Sequence, residues 1–181
     1  MSDRAPLLST SSAEKVALLI ANMNSLVLDF AARTAIGGTD LSYFIIKQLP
    51  VLPPAAFLEK FNAELTYANL IIPRVLELVY TAEAMRPVAV ELGYDGPPYT
   101  WNESRRHCLK CEIDAILAQM YGLERADLEW ILNADPPSAS FPVLKRNELK
   151  KFGEYRTQRF VLHAFELLQR GKIPDLLSDF L

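Results

Sequence analysis

The sequence predicts a mainly α-helical fold, with a small mixed α/β unit near the N-terminus that contains one or two short strands. Apolar residues recur every three or four positions over most of the chain, as they do on the buried face of a helix. Polar capping residues precede these runs and glycines follow them. One short run, from Leu41 to Leu49, instead holds the aromatic and β-branched residues typical of a strand.

The N-terminal segment predicts a tail and one long helix. Residues 1–10 are expected to be a disordered tail. The first helix is expected to begin at Ser11 or Ser12, because Ser11 and Glu14 have the spacing of a capping box. It is expected to continue to about Ala35, before a glycine pair turns the chain.

In the rest of the chain, proline and glycine residues mark the predicted ends of helices and of the strand. Prolines end the predicted strand, and Gly122 and Gly171 have the position that glycine takes after a helix. Between Tyr94 and Trp101 an aromatic, proline-rich loop interrupts the helices. The further predicted helices are Pro54–Asn62, Pro73–Leu92 with a kink at Pro87, a strong helix capped by Asn102 that ends near Tyr121, Leu123–Asn133, a helical turn at Lys145–Phe152, and a last helix from Glu154 or Tyr155 to Arg170.

Composition limits the class of protein. The chain has 181 residues, half of them apolar, and a net charge of −3. A stand-alone nucleic-acid binder usually has a basic excess, so the global charge argues against autonomous DNA binding. The sequence has two cysteines, no secretory signal pattern and no apolar run long enough for a membrane span. These features predict a soluble cytoplasmic protein.

Catalytic motifs are mostly missing from the sequence. It contains no GxGxxG, GxxxxGK[ST], GxSxG or HExxH pattern. Adenine methylation needs an Asn/Asp-Pro-Pro-aromatic tetrapeptide, and the tetrapeptide Asp135–Ser138 lacks the aromatic residue that would stack on the flipped base. We therefore expect no catalysis by this chain and no cofactor.

The two cysteines, Cys108 and Cys111, form a C-x-x-C pattern within a predicted helix. A structural zinc site usually needs four ligands, whereas only His107 is adjacent and His163 is distant. We interpret both cysteines as small residues near the core and expect no bound metal. His163 itself is interpreted as a histidine at the edge of the core.

Three carboxylates on predicted helices have simple interpretations. Asp29 and Arg33 are spaced for a surface ion pair. Glu112 and Asp114, two positions apart, cannot face each other on a helix, so they form a poor acid/base pair.

The segment from Lys145 to Arg159 is the one electrostatic candidate for a binding site. Its cations outnumber the two carboxylates Glu148 and Glu154, and Tyr155 adds a group that could stack or donate a hydrogen bond. The segment either follows a phosphate backbone or forms a solvated face, and the sequence leaves both open. The candidate phosphate-binding residues are Lys145, Arg146, Lys150, Lys151, Arg156 and Arg159.

The segment Ala21–Pro54 resembles the closing unit of target-recognition domains in restriction-modification enzymes. In those domains a helix with an "LNS"-like turn leads to a glycine pair, a strand and a proline-rich exit. Asn24–Ser25, Gly37–Gly38 and Pro50–Pro54 match that order. Four further segments resemble the C-terminal region of large adenine-specific DNA methyltransferases of the restriction-modification type (type IIG): Arg74–Ala82, Leu92–Trp101, Cys111–Leu123 and Phe141–Glu166.

The resemblance implies a function without catalysis. Residues 11–54 would close a target-recognition domain and residues 55–181 would form a helical C-terminal domain, and the methyltransferase domain is expected to lie outside these residues. The chain would support DNA target recognition within a larger enzyme, with a methyltransferase subunit or a second copy as partner and no membrane. The turn Gly37–Gly38–Thr39 would lie near DNA.

An alternative is a helical interaction module that docks to a methyltransferase without touching DNA, or a gene remnant of the same kind. Its expected surface is the aromatic loop with Tyr94, Tyr99 and Trp101. Under the resemblance, the apolar face of the Val16–Phe30 helix is expected to be exposed and covered by a partner or a second copy.

Overall fold

The computed structural model describes residues 12–36 and 43–180, and it confirms a mainly helical fold. Within these residues the chain forms ten α-helices and two short 3-10 turns, Pro54–Leu58 and Glu83–Met85. The predicted tail, residues 1–10, lies outside the described residues. The helices are α1 Ala13–Met23, α2 Leu26–Ala35, α3 Tyr43–Ile46, α4 Tyr67–Val79, α5 Arg86–Glu91, α6 Glu103–Met120, α7 Arg125–Leu132, α8 Pro142–Phe152, α9 Arg156–Gln169 and α10 Leu176–Phe180.

The strand predicted at Leu41–Leu49 is wrong for the part that is described. Residues 43–46 form the short helix α3, and Lys47 N donates to Tyr43 O at 3.2 Å. Strand preference reflects packing against a neighbouring strand, and the described residues offer none. The one β-type pairing among them is an isolated bridge between Lys60 and Thr66. The mixed α/β unit is therefore replaced by helices in this part of the chain.

The first predicted helix is divided into two at Asn24–Ser25. Ser12, one of the two residues expected at the start of the helix, caps α1. Ser25 caps α2 by accepting a hydrogen bond from Leu28 N at 3.2 Å. The axes of α1 and α2 differ by 60°. No single helix in the described ranges is long and apolar enough to cross a membrane, and only this bent pair taken together reaches that length and composition.

The helix predicted at Pro73–Leu92 begins earlier and ends earlier. Thr66 and Asn69 form a capping box that starts α4 at Tyr67, so Pro73 lies inside the helix. The helix ends at Val79, and the 3-10 turn separates it from α5. Proline is common at the first position of a helix, which favoured Pro73 over the Thr66 cap as the predicted start.

Helix α6 is the central helix of the fold, and its predicted bounds are confirmed. Asn102 Oδ1 accepts a hydrogen bond from Arg105 N at 2.9 Å, and Gly122 has φ 70° after the last turn. Almost every residue from Cys108 to Ala118 is buried. Helices α4, α9 and α10 pack around α6, so it has few positions left for solvent.

One hydrophobic cluster joins α1 and α2 to the later helices. It includes Ala17, Leu18, Ala21 and Val27 together with residues from Phe57 to Leu176. The prediction of an exposed apolar face on Val16–Phe30 is therefore wrong. Helix α1 packs on α4 and α2 packs on α6 and α7, which covers that face from within the chain. The exception is Ile20, which is 41% exposed.

The C-terminal helix α10 is attached by a buried ion pair. Arg74 Nε donates to Glu112 Oε2 at 2.7 Å, and Glu112 Oε1 accepts from Leu176 N at 2.9 Å. Arg74 also donates to Leu70 O and Pro174 O. Glu112 therefore connects α4, α6 and the start of α10, and both of its carboxylate oxygens accept hydrogen bonds.

Candidate docking groove along α6

A groove of about 780 Å³ follows the uncovered side of α6. Helices α1, α2 and α4 form one wall, and α8 and α9 form the other. The first wall includes Ile20, Leu26, Val75 and Leu78, and the second includes Leu144, Phe152 and Phe160. Helix α6 contributes Glu103, Arg106, His107, Lys110 and Asp114.

The floor of the groove is a polar stripe on an otherwise buried helix. Glu103, His107, Lys110 and Asp114 lie four, three and four residues apart, which places them on one face of α6. The remaining faces of α6 are covered by neighbouring helices. The groove is thus a helix face with no covering element among the described residues, between two apolar walls.

A hydrogen-bond network on this floor connects α6, α8 and α9. Thr157 Oγ1 donates to Glu148 Oε1 at 2.6 Å, and Thr157 N donates to Glu148 Oε2 at 2.9 Å. Because the hydroxyl proton goes to Glu148, His107 Nε2, 3.0 Å from Thr157 Oγ1, donates to that oxygen. A histidine that donates to the hydroxyl cannot also accept its proton, so the trio does not form an activated nucleophile. Burial lowers the pKa of His107, and the Glu148 carboxylate opposes that effect.

Asp114 holds the corner between α1 and α2. Its Oδ1 accepts a hydrogen bond from Leu26 N at 2.8 Å, the first turn of α2. Burial raises the pKa of Asp114 to about 7, although the Leu26 N–H and Lys110 both oppose the shift. The nearby Asp29 carboxylate adds to the increase. This carboxylate therefore acts as a cap for a helix that is 88 positions away in the sequence.

Four cations line the groove, and among the described residues only Arg156 pairs with a carboxylate. Arg106 lies over the Trp101 ring at 3.7 Å and donates to Leu78 O at 2.7 Å. Arg156 lies over the Phe152 ring at 4.0 Å and pairs with Glu154 at 3.1 Å. Lys110 and Lys151 are exposed and have no ion pair within the described part of the chain.

The predicted phosphate-binding segment does not form one continuous cationic face. Lys145 pairs with Asp135, and Arg156 and Arg159 both pair with Glu154. Arg146, Lys150 and Lys151 are exposed on α8 without an ion pair to any described residue. The positions Gly37, Gly38 and Thr39 lie outside the described residues.

Tyr155 does not offer the polar group that the sequence suggested. Its hydroxyl is buried and has no hydrogen-bond partner among the described residues. Burial raises the pKa of Tyr155, with Glu148 and Cys111 adding to the shift. The hydroxyl is therefore directed into the protein, away from any phosphate at the surface.

The aromatic loop is mostly committed to internal packing. Tyr94 stacks on Tyr99 with ring centroids 5.0 Å apart, and Tyr94 meets the fully buried Tyr80 edge-on. Trp101 is 58% exposed and lies under Arg106 at one end of the groove. The candidate interaction surface in this loop is therefore reduced to Trp101.

Both cysteines lie in the core, as the sequence indicated. Burial raises the pKa of Cys108 to about 11 and the pKa of Cys111 well above its ordinary value. The residues that the structure describes contain no group of three His, Cys, Asp or Glu side chains that could hold a metal. His163 is at the edge of the core, with Nε2 3.1 Å from Asp179 Oδ2.

The groove was not predicted from the sequence, although one local signal for it exists. That signal is a charged stripe on a helix whose other positions are mostly buried, formed by Glu103, His107, Lys110 and Asp114. The walls come from five other helices, and only the fold brings them together.

Comparisons with protein-family models, curated proteins and solved structures found no match for this chain. The resemblance to adenine-specific DNA methyltransferases stays a prediction that rests on the segments quoted above.

Proposed function

We propose that this chain is a non-catalytic helical interaction module that docks to another protein through the groove along α6. The observation that carries the proposal is the uncovered face of a central helix between two apolar walls, beside Lys110 and Lys151. Apolar grooves of this kind accept amphipathic helices of partner proteins. By the resemblance, the partner is a subunit of a restriction-modification or related methyltransferase system.

The chemistry of the groove favours binding over catalysis. Glu148 caps the first turn of α9, and Asp114 caps α2. His107 donates to a hydroxyl that itself donates to Glu148. Each of these side chains already makes a hydrogen bond that stabilises the fold, so none is available as a general base.

A second candidate function, support of DNA target recognition, has one observation in its favour. Arg146, Lys150 and Lys151 are exposed on α8 and free of carboxylates in the described residues. Exposed lysine and arginine side chains without internal partners suit phosphate contacts. The docking function is preferred because the other half of the predicted basic segment pairs within the chain.

Site-specific photo-crosslinking in the source cells tests the docking function. A photoreactive phenylalanine derivative at Leu78 places the probe in the groove, and the same derivative at Trp130, which is half exposed on α7 outside the groove, is the matched control. We expect a protein adduct at Leu78 that is missing at Trp130. Equal adducts at both positions, or none at Leu78, would contradict docking through the groove.

A probe at Lys150 tests the second candidate with the same method. An adduct with nucleic acid at Lys150 would support the DNA function. A protein adduct at Leu78 without one at Lys150 favours the interaction module.

A further inference from the structure

We infer that the groove along α6 takes one acidic amphipathic helix of about three turns, with a partner carboxylate against Lys110. The inference rests on the proposed docking function and adds the chemistry of the partner. It follows from the length of the groove, from its two apolar walls and from the distribution of charge along its floor.

The length of the groove fits a short helix. Its floor runs along α6 from Glu103 to Asp114. With a rise of 1.5 Å per residue, these positions span roughly 17 Å, which is about three helical turns. A partner helix that lies along α6 would therefore contact the walls over about eleven residues.

The walls determine which side chains the partner presents. The half-buried side chains Leu26 and Leu78 lie on one side, and Leu144 and Phe152 lie on the other, with Val75 and Phe160 buried behind them. A helix between them meets apolar surface on both flanks. Apolar side chains at positions i, i+3, i+4 and i+7 provide that contact.

The charge of the groove selects an acidic partner. The floor and rim carry Arg106, Lys110, Lys151 and Arg156, whereas the lining carboxylates are Glu103, Asp114 and Glu148. Two of these three carboxylates cap helices, and Glu103 accepts a hydrogen bond from Trp101 Nε1 at 2.8 Å. These hydrogen bonds leave the carboxylate charges in place, and Lys110 interacts electrostatically with Asp114, four residues along α6. The cations of the groove outnumber its carboxylates by one, on a chain whose net charge is −3. A positive groove on an acidic protein favours a partner segment that is itself acidic.

Lys110 is the central contact in this arrangement. It lies on the polar stripe between His107 and Asp114, at the middle of the floor. A carboxylate on the partner helix would pair with Lys110, and the bound helix would cover this exposed side chain. Such a partly desolvated pair is stronger than a surface ion pair.

A fluorescence titration tests the inference. The Trp130→Phe variant leaves Trp101, at the end of the groove, as the reporter in a chain with two tryptophans. The probes are three designed amphipathic helical peptides of about fourteen residues. They share a leucine stripe and carry glutamate, glutamine or lysine beside it. We expect the glutamate peptide to bind ~10-fold more tightly than the lysine peptide.

Charge reversal at Lys110 supplies the matched variants. Lys110→Glu should weaken binding of the glutamate peptide by ~10-fold and improve binding of the lysine peptide. Lys172→Glu makes the same charge change at an exposed position outside the groove and should leave both affinities unchanged. Equal effects of the two substitutions would overturn the role of Lys110.

Further outcomes decide the occupant. If no peptide binds, or if the lysine peptide binds as well as the glutamate peptide, the inference is overturned. A Trp101 response to vesicles of phosphatidylglycerol or to a DNA duplex, with none to the glutamate peptide, assigns the groove to that anion and also overturns it. Concentration-dependent dimerisation that Lys110→Glu abolishes would identify a second copy as the occupant and overturn the partner helix.

The inference and the proposed function fail in different ways. If the probe at Leu78 captures a partner through a basic or extended segment, docking stands and the acidic helix is wrong. If the glutamate peptide binds but Leu78 captures no protein in the source cells, the chemistry of the groove stands and the proposed function is wrong.

Discussion

The Glu148 carboxylate binds both the backbone N–H and the hydroxyl of Thr157, at 2.9 and 2.6 Å. Glu148 lies on α8 and Thr157 lies in the first turn of α9, where the positive end of the helix dipole favours an anion. This contact attaches α8 to the body of the protein. Since Leu144 and Phe152 on α8 form one wall of the groove, the wall depends on Glu148.

Removing the Glu148 charge should loosen this wall. Glu148→Gln keeps the shape but weakens two charge-assisted hydrogen bonds, so we expect a loss of about 1–3 kcal/mol in the free energy of unfolding. Urea unfolding measures it. Glu129→Gln, which affects an exposed pair with Arg125, is the control and should cost less than about 1 kcal/mol. Equal losses for the two variants would contradict the dependence of this wall on Glu148.

Breaking the buried Arg74–Glu112 pair should cost more than breaking an exposed ion pair. Both side chains are largely buried, and Arg74→Met leaves the Glu112 carboxylate without its charge partner. We expect a loss of about 3–5 kcal/mol, measured by thermal or urea unfolding. Asp29→Asn breaks the exposed pair with Arg33 and should cost less than about 1 kcal/mol. A small loss for Arg74→Met would contradict the attachment of α10 through Glu112.

Asp114 should make stability depend on pH in the opposite sense to most acids. Its pKa is about 7 in the folded chain, against an ordinary value of 3.8. Between these two values the folded chain keeps a proton that the unfolded chain has released, so stability falls as pH rises and levels off above about 7. Below pH 3.8 both states hold the proton and the effect disappears.

Asp114→Asn tests this dependence because the amide oxygen still accepts from Leu26 N but does not titrate. The unfolding free energies of both proteins are measured at pH 5 and pH 8. We expect the wild-type chain to lose more stability than the variant over that interval. Parallel changes in the two proteins would mean that Asp114 is ionised throughout.

Both cysteine thiols should be inert in the folded protein. Burial raises the pKa of Cys108 to about 11 and also raises that of Cys111, so little thiolate forms at neutral pH. A disulfide-exchange reagent should react with both thiols only after unfolding in urea. Rapid reaction of the folded chain would contradict the burial of the pair and reopen a redox role.

Charge reversal on α8 should separate the two candidate functions. Lys150→Glu together with Lys151→Glu removes two exposed cations, and low-salt DNA binding is measured with a labelled duplex. If the chain contacts DNA, affinity should fall across all sequences. If the chain is a docking module, the wild-type chain binds no duplex, and Lys150→Glu alone leaves the protein adduct at Leu78 unchanged. Lys172→Glu again serves as the control for charge.

Local signals in the sequence were sufficient for α6. Asn102 supplies a cap and Gly122 supplies the positive φ that follows the last turn, and both act within a few residues. The strand at Leu41–Leu49 failed because aromatic and β-branched residues favour a strand only when a neighbour pairs with it. The break at Ser25 was missed although Ser25 is itself a local cap for α2, and Asp114, far along the sequence, also holds that corner.

The candidate site was harder to predict from the sequence than the fold was. Composition identified the basic segment. It could not show that Asp135 and Glu154 form ion pairs with some of its cations and leave the others unpaired. The groove combines six helices, so its walls have no common sequence pattern. The polar stripe on α6 was the one part of it that the sequence displayed.

The most direct test of the account is chemical-shift mapping of the folded chain during titration with the glutamate peptide. We predict shifts in the backbone amides of α6 from Glu103 to Asp114, with further shifts at Leu78 and Phe152 on the two walls. The Lys110→Glu variant should lose most of these shifts at the same peptide concentration. Shifts confined to the outer face of α8 near Arg146 and Lys150, with none along α6, would contradict the groove as the docking site.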